Sequence, residues 1–503
     1  MPNVIVVGSG PGACAATLRL VNSGYHVTML ERGRPMPSAV MGTTGNVLNG
    51  IMRINRNDQP IVLGGGSAVN YGVYVLPPAD ELSEMFGPLM PSDDMLSKFH
   101  DLFSSRIANE LGSTRFTTQA SSRVAAMMGV CDQHPRRDAS VASGVPWTSY
   151  GVGATWIRSG TIADTKVDTR LSPLTLIESH PNVTIFPNVY VTRVERRGTK
   201  WCAVAHCGSM FEADQLLLCA GAIGTAEIIL RSNLPRGVHN SVGDTLHDHR
   251  RVSVIACYRC LNQMSTTRPL VNNIVVSAPP SRAHVEVVLQ PGLDGVTNVC
   301  STAFGVCAST SSIASCLPSW CTISPTLATE SFDPWCCCGP CAATCNPCRY
   351  VNVVAFVVGM RADRPGCVRV DAIGNTRVHP AQLGDESRER LQVLADNIAT
   401  NIREDPQTCC VMGADAGRAD TEWHHAGTVP YGRATDATGQ LLDVGGRSYD
   451  GLYIADISLL LKLPTLNTQA AAALGGWLVA SKLLDGSSNR RHDPLMCSVI
   501  ERL

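Results

Sequence analysis

Two stretches of this sequence combine residue types and spacings that could do chemistry. The first is Gly8-Ser9-Gly10-Pro11-Gly12-Ala13, with Glu31 following. An acid about 20 residues beyond such glycines is where dinucleotide sites hydrogen-bond a ribose hydroxyl. The second is Glu422-Trp423-His424-His425-Ala426-Gly427-Thr428. A neutral imidazole takes up a proton near pH 7, so either histidine suits a general base, and the residues alone do not choose between them. Further on, Asn467 precedes a long Ala-rich run and reads by itself as a helix cap. His247-Asp248-His249 has metal-binding residue types, but an H-x-H pair in a loop is a weak signal.

The elements that must position these groups follow from hydrophobic periodicity. Asn3 to Val7 is an apolar, β-branched run of the length of a buried strand, and the glycines follow it at once. Gly8 allows a sharp turn, Gly10 lets the backbone approach a pyrophosphate, and Ala13 takes the place of a last glycine, where packing needs a small residue. A helix from about Pro11 to Ser23 and a strand from His26 to Leu30 complete a βαβ start, with Pro11 suited to a first helical turn. A merely structural glycine turn would not need strand, helix, strand and acid in that order. The motif alone does not separate FAD from NAD.

Bulk properties bound the function. At 503 residues the chain exceeds one core, and about 150 residues per domain suggests two or three units. A formal charge of −1 offers no basic excess for a phosphate backbone, which argues against nucleic acid as a partner. No basic-then-apolar leader precedes the first strand, and no segment approaches the ~20 apolar residues of a membrane span. The expected location is cytosol-like, or elsewhere without a cleaved signal. Of 21 cysteines, ten lie between Cys300 and Cys348, including Cys338-x-x-Cys341 and Cys345-x-x-Cys348. The gap between these pairs is far shorter than the ~15–20 residues of a zinc ribbon, which leaves zinc, disulfides and free thiols all open. The scattered Cys14, Cys202 and Cys219 read as core packing.

Leu63-Gly64-Gly65-Gly66-Ser67-Ala68-Val69-Asn70 suits a backbone pressed against a planar ligand, since side chains would hold it away. This segment resembles the first signature of the glucose–methanol–choline (GMC) flavoprotein oxidoreductases. It departs from the pattern upstream, at Pro60 and Ile61. Gly221-Ala222-Ile223-Gly224-Thr225-Ala226 through Leu234 resembles the second signature, with Ala226 and Asn233 as departures. Gly243-Asp244-Thr245-Leu246-His247-Asp248-His249 is similar to the segment that closes the family's flavin domain, which favours a structural role there over a metal site. His424 occupies the catalytic position of the family's His-x-x-Gly-Thr, and Asn467 that of its second active-site residue.

The resemblance implies a fold class of α/β plus antiparallel β. An FAD-binding Rossmann-like domain would take residues 1–76, 150–250 and 415–503. A substrate-binding domain built on an antiparallel sheet would take 77–149 and 251–414, with the Cys-rich insertion at about 300–348. Expected strands of that sheet are Val252 to Cys257, Val271 to Ser277, His284 to Leu289 and Tyr350 to Val358. Implied FAD contacts are Gly8, Gly10, Gly12, Ala13, Glu31, Gly64, Gly65, Ser67, Asn70, Val191 at the adenine, Gly221, Asp456, Asn467 and Thr468. Val69 stands where some members attach the flavin through histidine, so non-covalent FAD and no metal are expected. The implied reaction is oxidation of an alcohol CH–OH: His424 takes the proton, hydride passes to flavin N5 and Asn467 positions the oxygen. Oxygen or another carrier would accept the electrons. Three other readings stand beside it: a lyase-type or light-driven member without net alcohol oxidation, a flavin-fold structural or surface protein, and an NAD-dependent dehydrogenase. The last leaves Gly64 to Asn70 without a purpose.

Overall fold

The computed structural model describes residues 2–35, 53–54, 59–68, 77, 79–99, 177–259, 270–275, 283–291, 351–404 and 408–488. Asn70 and the cysteine-rich stretch at 300–348 lie outside the described residues.

Strand β1 (Asn3–Val7), helix α1 (Pro11–Val21) and strand β2 (His26–Leu30) form where the sequence places them. Four of the five β1 residues are buried, as a strand covered on both faces requires. The chain then leaves this sheet and returns for β3 (Val183–Phe186) and β4 (Gln215–Leu218), followed by α2 (Gly221–Arg231). It returns again for β5 (Gln440–Leu442), β6 (Ser448–Ile454) and α3 (Gln469–Ser488). The six strands lie in the order β5-β6-β4-β1-β2-β3, parallel except between β5 and β6. This is a Rossmann-like sheet whose central strand is the first one in the chain.

A second sheet is antiparallel, in the order 270–275, 283–291, 351–361, 249–259 and 408–412, with Asp420–Thr421 pairing to 249–259. Four of its strands overlap those that alternation in the sequence predicts, whereas 408–412 and Asp420–Thr421 are not foreseen. The run from Asn182 to Val194, whose alternation reads as one strand, splits in two. Val183–Phe186 joins the parallel sheet, while Val191–Arg197 begins a three-stranded meander with 200–205 and 210–213. Pro187 has no N–H to donate, and Asn188 takes a left-handed φ of +62°, so the strand cannot continue between them. Residues 79–99 form two helices, Ala79–Phe86 and Asp93–Phe99, separated by a 3₁₀ turn at Gly87–Leu89.

Helix α3 crosses α1 at glycine. A Cβ on Gly12 would fall 2.7 Å from the Ala455 carbonyl oxygen and 3.0 Å from that of Ala472, and a Cβ on Gly476 would fall inside the Gly12 peptide. Ala13 is fully buried beside it. The tight approach at Gly12 is thus both to the end of β6, at Ala455, and to α3, at Ala472 and Gly476. Cys14, Cys202 and Cys219 are buried free thiols, as the sequence suggests.

Gly476→Ala forces backbone against backbone and is expected to cost about 1–3 kcal/mol, read as a lower denaturation midpoint. Gly486→Ala, in the same helix with no neighbour within 4 Å of the added carbon, is expected to be neutral or to stabilise by up to about 1 kcal/mol.

Candidate functional site

The β1–α1 turn is built to leave a helix N-terminus open. Gly8 has φ +105° and lies too close to the Cys219 carbonyl to carry a side chain. Gly10 is the N-cap of α1, no side chain caps it, and Pro11 follows. Nothing lies within 4 Å of where a Gly10 Cβ would sit. The free N–H groups and the helix dipole therefore face unfilled space, an arrangement that suits a phosphate.

Glu31 closes one side of this turn. Its Oε2 accepts from Ser9 Oγ at 2.6 Å and its Oε1 from the Gly33 N–H at 2.6 Å. Burial pushes its carboxyl up to about 7, against the opposing effect of these hydrogen bonds. The Val189 N–H donates to the Glu31 carbonyl at 2.8 Å, so Val191, two residues on at the start of Val191–Arg197, lies beside the same strand end. Ser9 also links the two glycine runs, because its Oγ accepts from the Gly64 N–H at 2.9 Å. Gly65 has φ +56°, and a Cβ there would fall 3.1 Å from Gly10 Cα. Gly65 is thus pressed against the other glycine run, whereas Gly66 faces open space. Ser67 Oγ donates to the Gly64 carbonyl at 2.8 Å, closing the turn.

Asp456, just beyond β6, is wholly buried and accepts four hydrogen bonds from the protein. Oδ2 takes the Gly221 N–H at 2.8 Å and Thr225 Oγ1 at 2.7 Å, while Oδ1 takes the Ser458 N–H at 2.8 Å and Ser458 Oγ at 2.5 Å. Its carboxylate binds the start of α2 to the turn after β6, and burial raises its pKa above the ordinary aspartate value. Gly221 stands at that helix start with φ +76°.

The second group of candidates converges through a residue that sequence reasoning leaves in a structural segment. His249 Nε2 lies 2.9 Å from the Pro464 carbonyl, which can only accept, so Nε2 carries the hydrogen. Burial, with His284 and His424 beside it, holds the His249 pKa well below the ordinary value, so the ring is neutral and Nδ1 keeps its lone pair. His424 Nδ1 lies 2.8 Å from that lone pair and must therefore supply the hydrogen, which leaves Nε2 outside this bond. The His424 N–H donates to Asp248 Oδ1 at 2.9 Å, and Thr421 Oγ1 to Oδ2 at 2.5 Å. His425 pairs instead with Asp248, Nε2 to Oδ2 at 3.8 Å.

Trp423, between Glu422 and His424, has φ +60°, a left-handed conformation that bulky residues rarely adopt. Asn467 and Thr468 lie three and four residues after Pro464, the carbonyl that fixes His249, and immediately before α3. The Ala472 N–H donates to the Thr468 carbonyl at 2.9 Å, so Thr468 and not Asn467 occupies the helix-cap position. The turn is held from below by Glu81, which accepts from the Thr465 N–H at 2.9 Å and from its hydroxyl. Sequence reasoning missed Glu81, His249, His284 and Glu422. For Glu422 the signal was its place two residues before the histidine. His249 is visible in His247-Asp248-His249 but reads there as structural, while Glu81 and His284 depend on strand and helix packing that no local pattern reports.

Solved structures of flavoprotein oxidases share this fold. Pyridoxine 4-oxidase from Mesorbium loti matches with a TM-score of 0.60 at 14% identity, over 98% of this chain and 100% of that one. An FAD-dependent oxidoreductase from Chaetomium thermophilum matches at 0.59 and 16%, over 97% and 99%. A variant of formate oxidase from Aspergillus oryzae RIB40 matches at 0.58 and 13%, over 97% and 99%. No curated protein matches by sequence. The family model of the GMC oxidoreductases matches residues 20–251, a span that ends at the Leu-x-Asp-His segment. Residues 20–251 thus match the GMC oxidoreductase family, and FAD is the cofactor expected of this fold. The residues fit that group: an uncapped helix start, a glycine facing open space, and a carboxylate at the end of β2 stand together.

Two outcomes follow. In the apoprotein, ionising Glu31 is penalised between its unfolded value of 4.5 and its folded value of about 7. Relative to Glu31→Gln, the wild type should lose stability as pH rises through that window, by at most about 3 kcal/mol, and stay level above it. Thermal melts of both proteins from pH 4 to 8 measure this. In Asp456→Asn, the new NH₂ must face either Gly221 N–H or Ser458 N–H, neither of which can turn away. A loss of about 1–3 kcal/mol in chemical denaturation is expected.

Proposed function

We propose that this GMC oxidoreductase oxidises the CH–OH group of an alcohol, with His424 as the general base and Asn467 positioning the substrate oxygen. The observation that carries this reading is the chain of hydrogen bonds from the Pro464 carbonyl through His249 to His424. It engages His424 through Nδ1 and so presents Nε2 as the nitrogen for the substrate proton. His249 is neutral and cannot compete for that proton. Asp248 anchors the His424 backbone and also pairs with His425, so the histidine next to the base has a separate partner.

When bound, FAD supplies the hydride acceptor at N5. In this reading the Gly8–Ala13 turn and Glu31 would hold the dinucleotide, and the α3 N-terminus would face developing negative charge. Val69 in place of a linking histidine supports non-covalent attachment. Two neighbours are named as oxidases, of pyridoxine and of formate, which supports oxygen as the electron acceptor.

The test is spectroscopic. Purified protein mixed with primary and secondary alcohols without oxygen should lose its flavin absorbance at a rate set by substrate concentration. His424→Ala should retain bound FAD and bleach at least 10²-fold more slowly. Equal rates in the two proteins would remove His424 from the role of base. Flavin that no alcohol bleaches would overturn the alcohol-oxidation reading.

A further inference from the structure

The carboxylate of Glu422 is buried, and no hydrogen bond reaches its Oε2. The nearest groups are two ring nitrogens, His424 Nδ1 at 3.4 Å and His249 Nδ1 at 3.5 Å. Its other oxygen lies 3.2 Å from His284 Nε2. Among the described residues, His249, His284 and Glu422 each bring a donor atom to within 4.8 Å of the others, and all three are buried. They come from separate parts of the chain: the first residue of strand 249–259, the second residue of strand 283–291, and the loop after Asp420–Thr421. Strand register sets His284 opposite Gly359. A Cβ at Gly359 would fall 2.5 Å from His284 Cε1 and 2.6 Å from Glu422 Oε1, so the space between these side chains exists because that residue is glycine.

The spacing around Glu422 is that of a coordination shell. With bonds of about 2.0–2.1 Å to nitrogen and oxygen, ligand atoms around a four-coordinate ion lie about 3.3–3.4 Å apart. The contacts of the Glu422 carboxylate are 3.2, 3.4 and 3.5 Å, while His249 Nδ1 and His424 Nδ1, 2.8 Å apart, must separate by about 0.5 Å for both to bind. His249 also has the outer partner that ligating histidines usually have, since its remote N–H is spent on the Pro464 carbonyl and its other nitrogen is aimed inward. Two imidazoles and a carboxylate suit a borderline divalent ion such as zinc.

We infer that His249 through Nδ1, His284 through Nε2 and the Glu422 carboxylate form a binding site for a divalent transition-metal ion, with His424 Nδ1 as a fourth donor. Coordination through Nδ1 moves the hydrogen of His424 from Nδ1 to Nε2, with no net proton uptake or release. The nitrogen that serves as base in the free enzyme is then blocked, so the ion acts as a reversible inhibitor. Inhibition rests on the alcohol-oxidation reading; metal binding does not.

The test uses the FAD-loaded full chain at a buffered free Zn²⁺ concentration, with zinc per chain measured by mass spectrometry. The cysteines also take up zinc, so the readout is a difference. His284→Ala and Glu422→Gln should each bind one zinc fewer than the wild type, and the wild-type zinc X-ray absorption spectrum should contain imidazole scattering that both variants lack. Equal zinc content in all three proteins would overturn the site. Should His284→Ala lose its FAD spectrum, Glu422→Gln carries the comparison, because it keeps the side-chain shape. In the wild type, Zn²⁺ should slow anaerobic bleaching by alcohol at least tenfold, with recovery on chelation. Zinc uptake at this site without slower bleaching would overturn the inhibitory role. If no alcohol bleaches the flavin while the zinc difference persists, the oxidase reading fails and the metal site stands.

Discussion

The contact between Gly12 on α1 and Gly476 on α3 holds the N-terminal βαβ unit against the last helix of the chain. Because neither residue has a side chain, the helices approach backbone to backbone, and the carbonyls of Ala455 and Ala472 close around the same glycine. That fixes where α3 begins, and so fixes the Pro464–Thr468 turn relative to the Gly8–Ala13 turn. Asp456 completes the arrangement by tying α2 to the turn after β6. The cofactor turn and the residues proposed for the chemistry therefore share one rigid frame despite more than 400 intervening positions.

The histidine cluster depends on a different constraint, the obligatory direction of a hydrogen bond to a carbonyl. The Pro464 carbonyl dictates the hydrogen position on His249, and His249 dictates it on His424. The arrangement needs His249 neutral, which its burial ensures. The left-handed backbone at Trp423 lets Glu422 and His424 approach His249 together, at 3.5 and 2.8 Å. A Trp in that conformation is an expense carried at a site where side-chain directions matter.

The parts of this structure that were legible in the sequence are those in which chemistry and local backbone coincide. The Asn3–Val7 strand, the glycines after it and Glu31 at the end of the next strand lie within one βαβ unit, so spacing alone locates them. The Gly64–Ser67 turn was legible from its run of glycines, and the Gly221 turn from its resemblance to the second GMC signature. His249, His284 and Glu81 were not, because their partners are set by the register of strands 249–259, 283–291 and 351–361. A one-residue shift there would turn His284 to the opposite face. Asp248-His249 was visible as a motif, but its place next to His424 follows from the pairing of Asp420–Thr421 with the strand that begins at His249. The split at Pro187-Asn188 was present in the residues, yet hydrophobic alternation on both sides concealed it.

The strand order also has a consequence in time. β1 and β4 pair early in the chain, but β6, which covers the far edge of β4, begins 230 residues after β4 ends (448 − 218). At synthesis rates of about 5–20 residues per second, that edge waits roughly 10–50 s for its neighbour. Until then α1 has no α3 to cover Gly12, and the apolar edge of β4 is open to pairing with another nascent chain. The parallel sheet and the α1–α3 contact are thus completed only as the segment from β5 to α3 emerges.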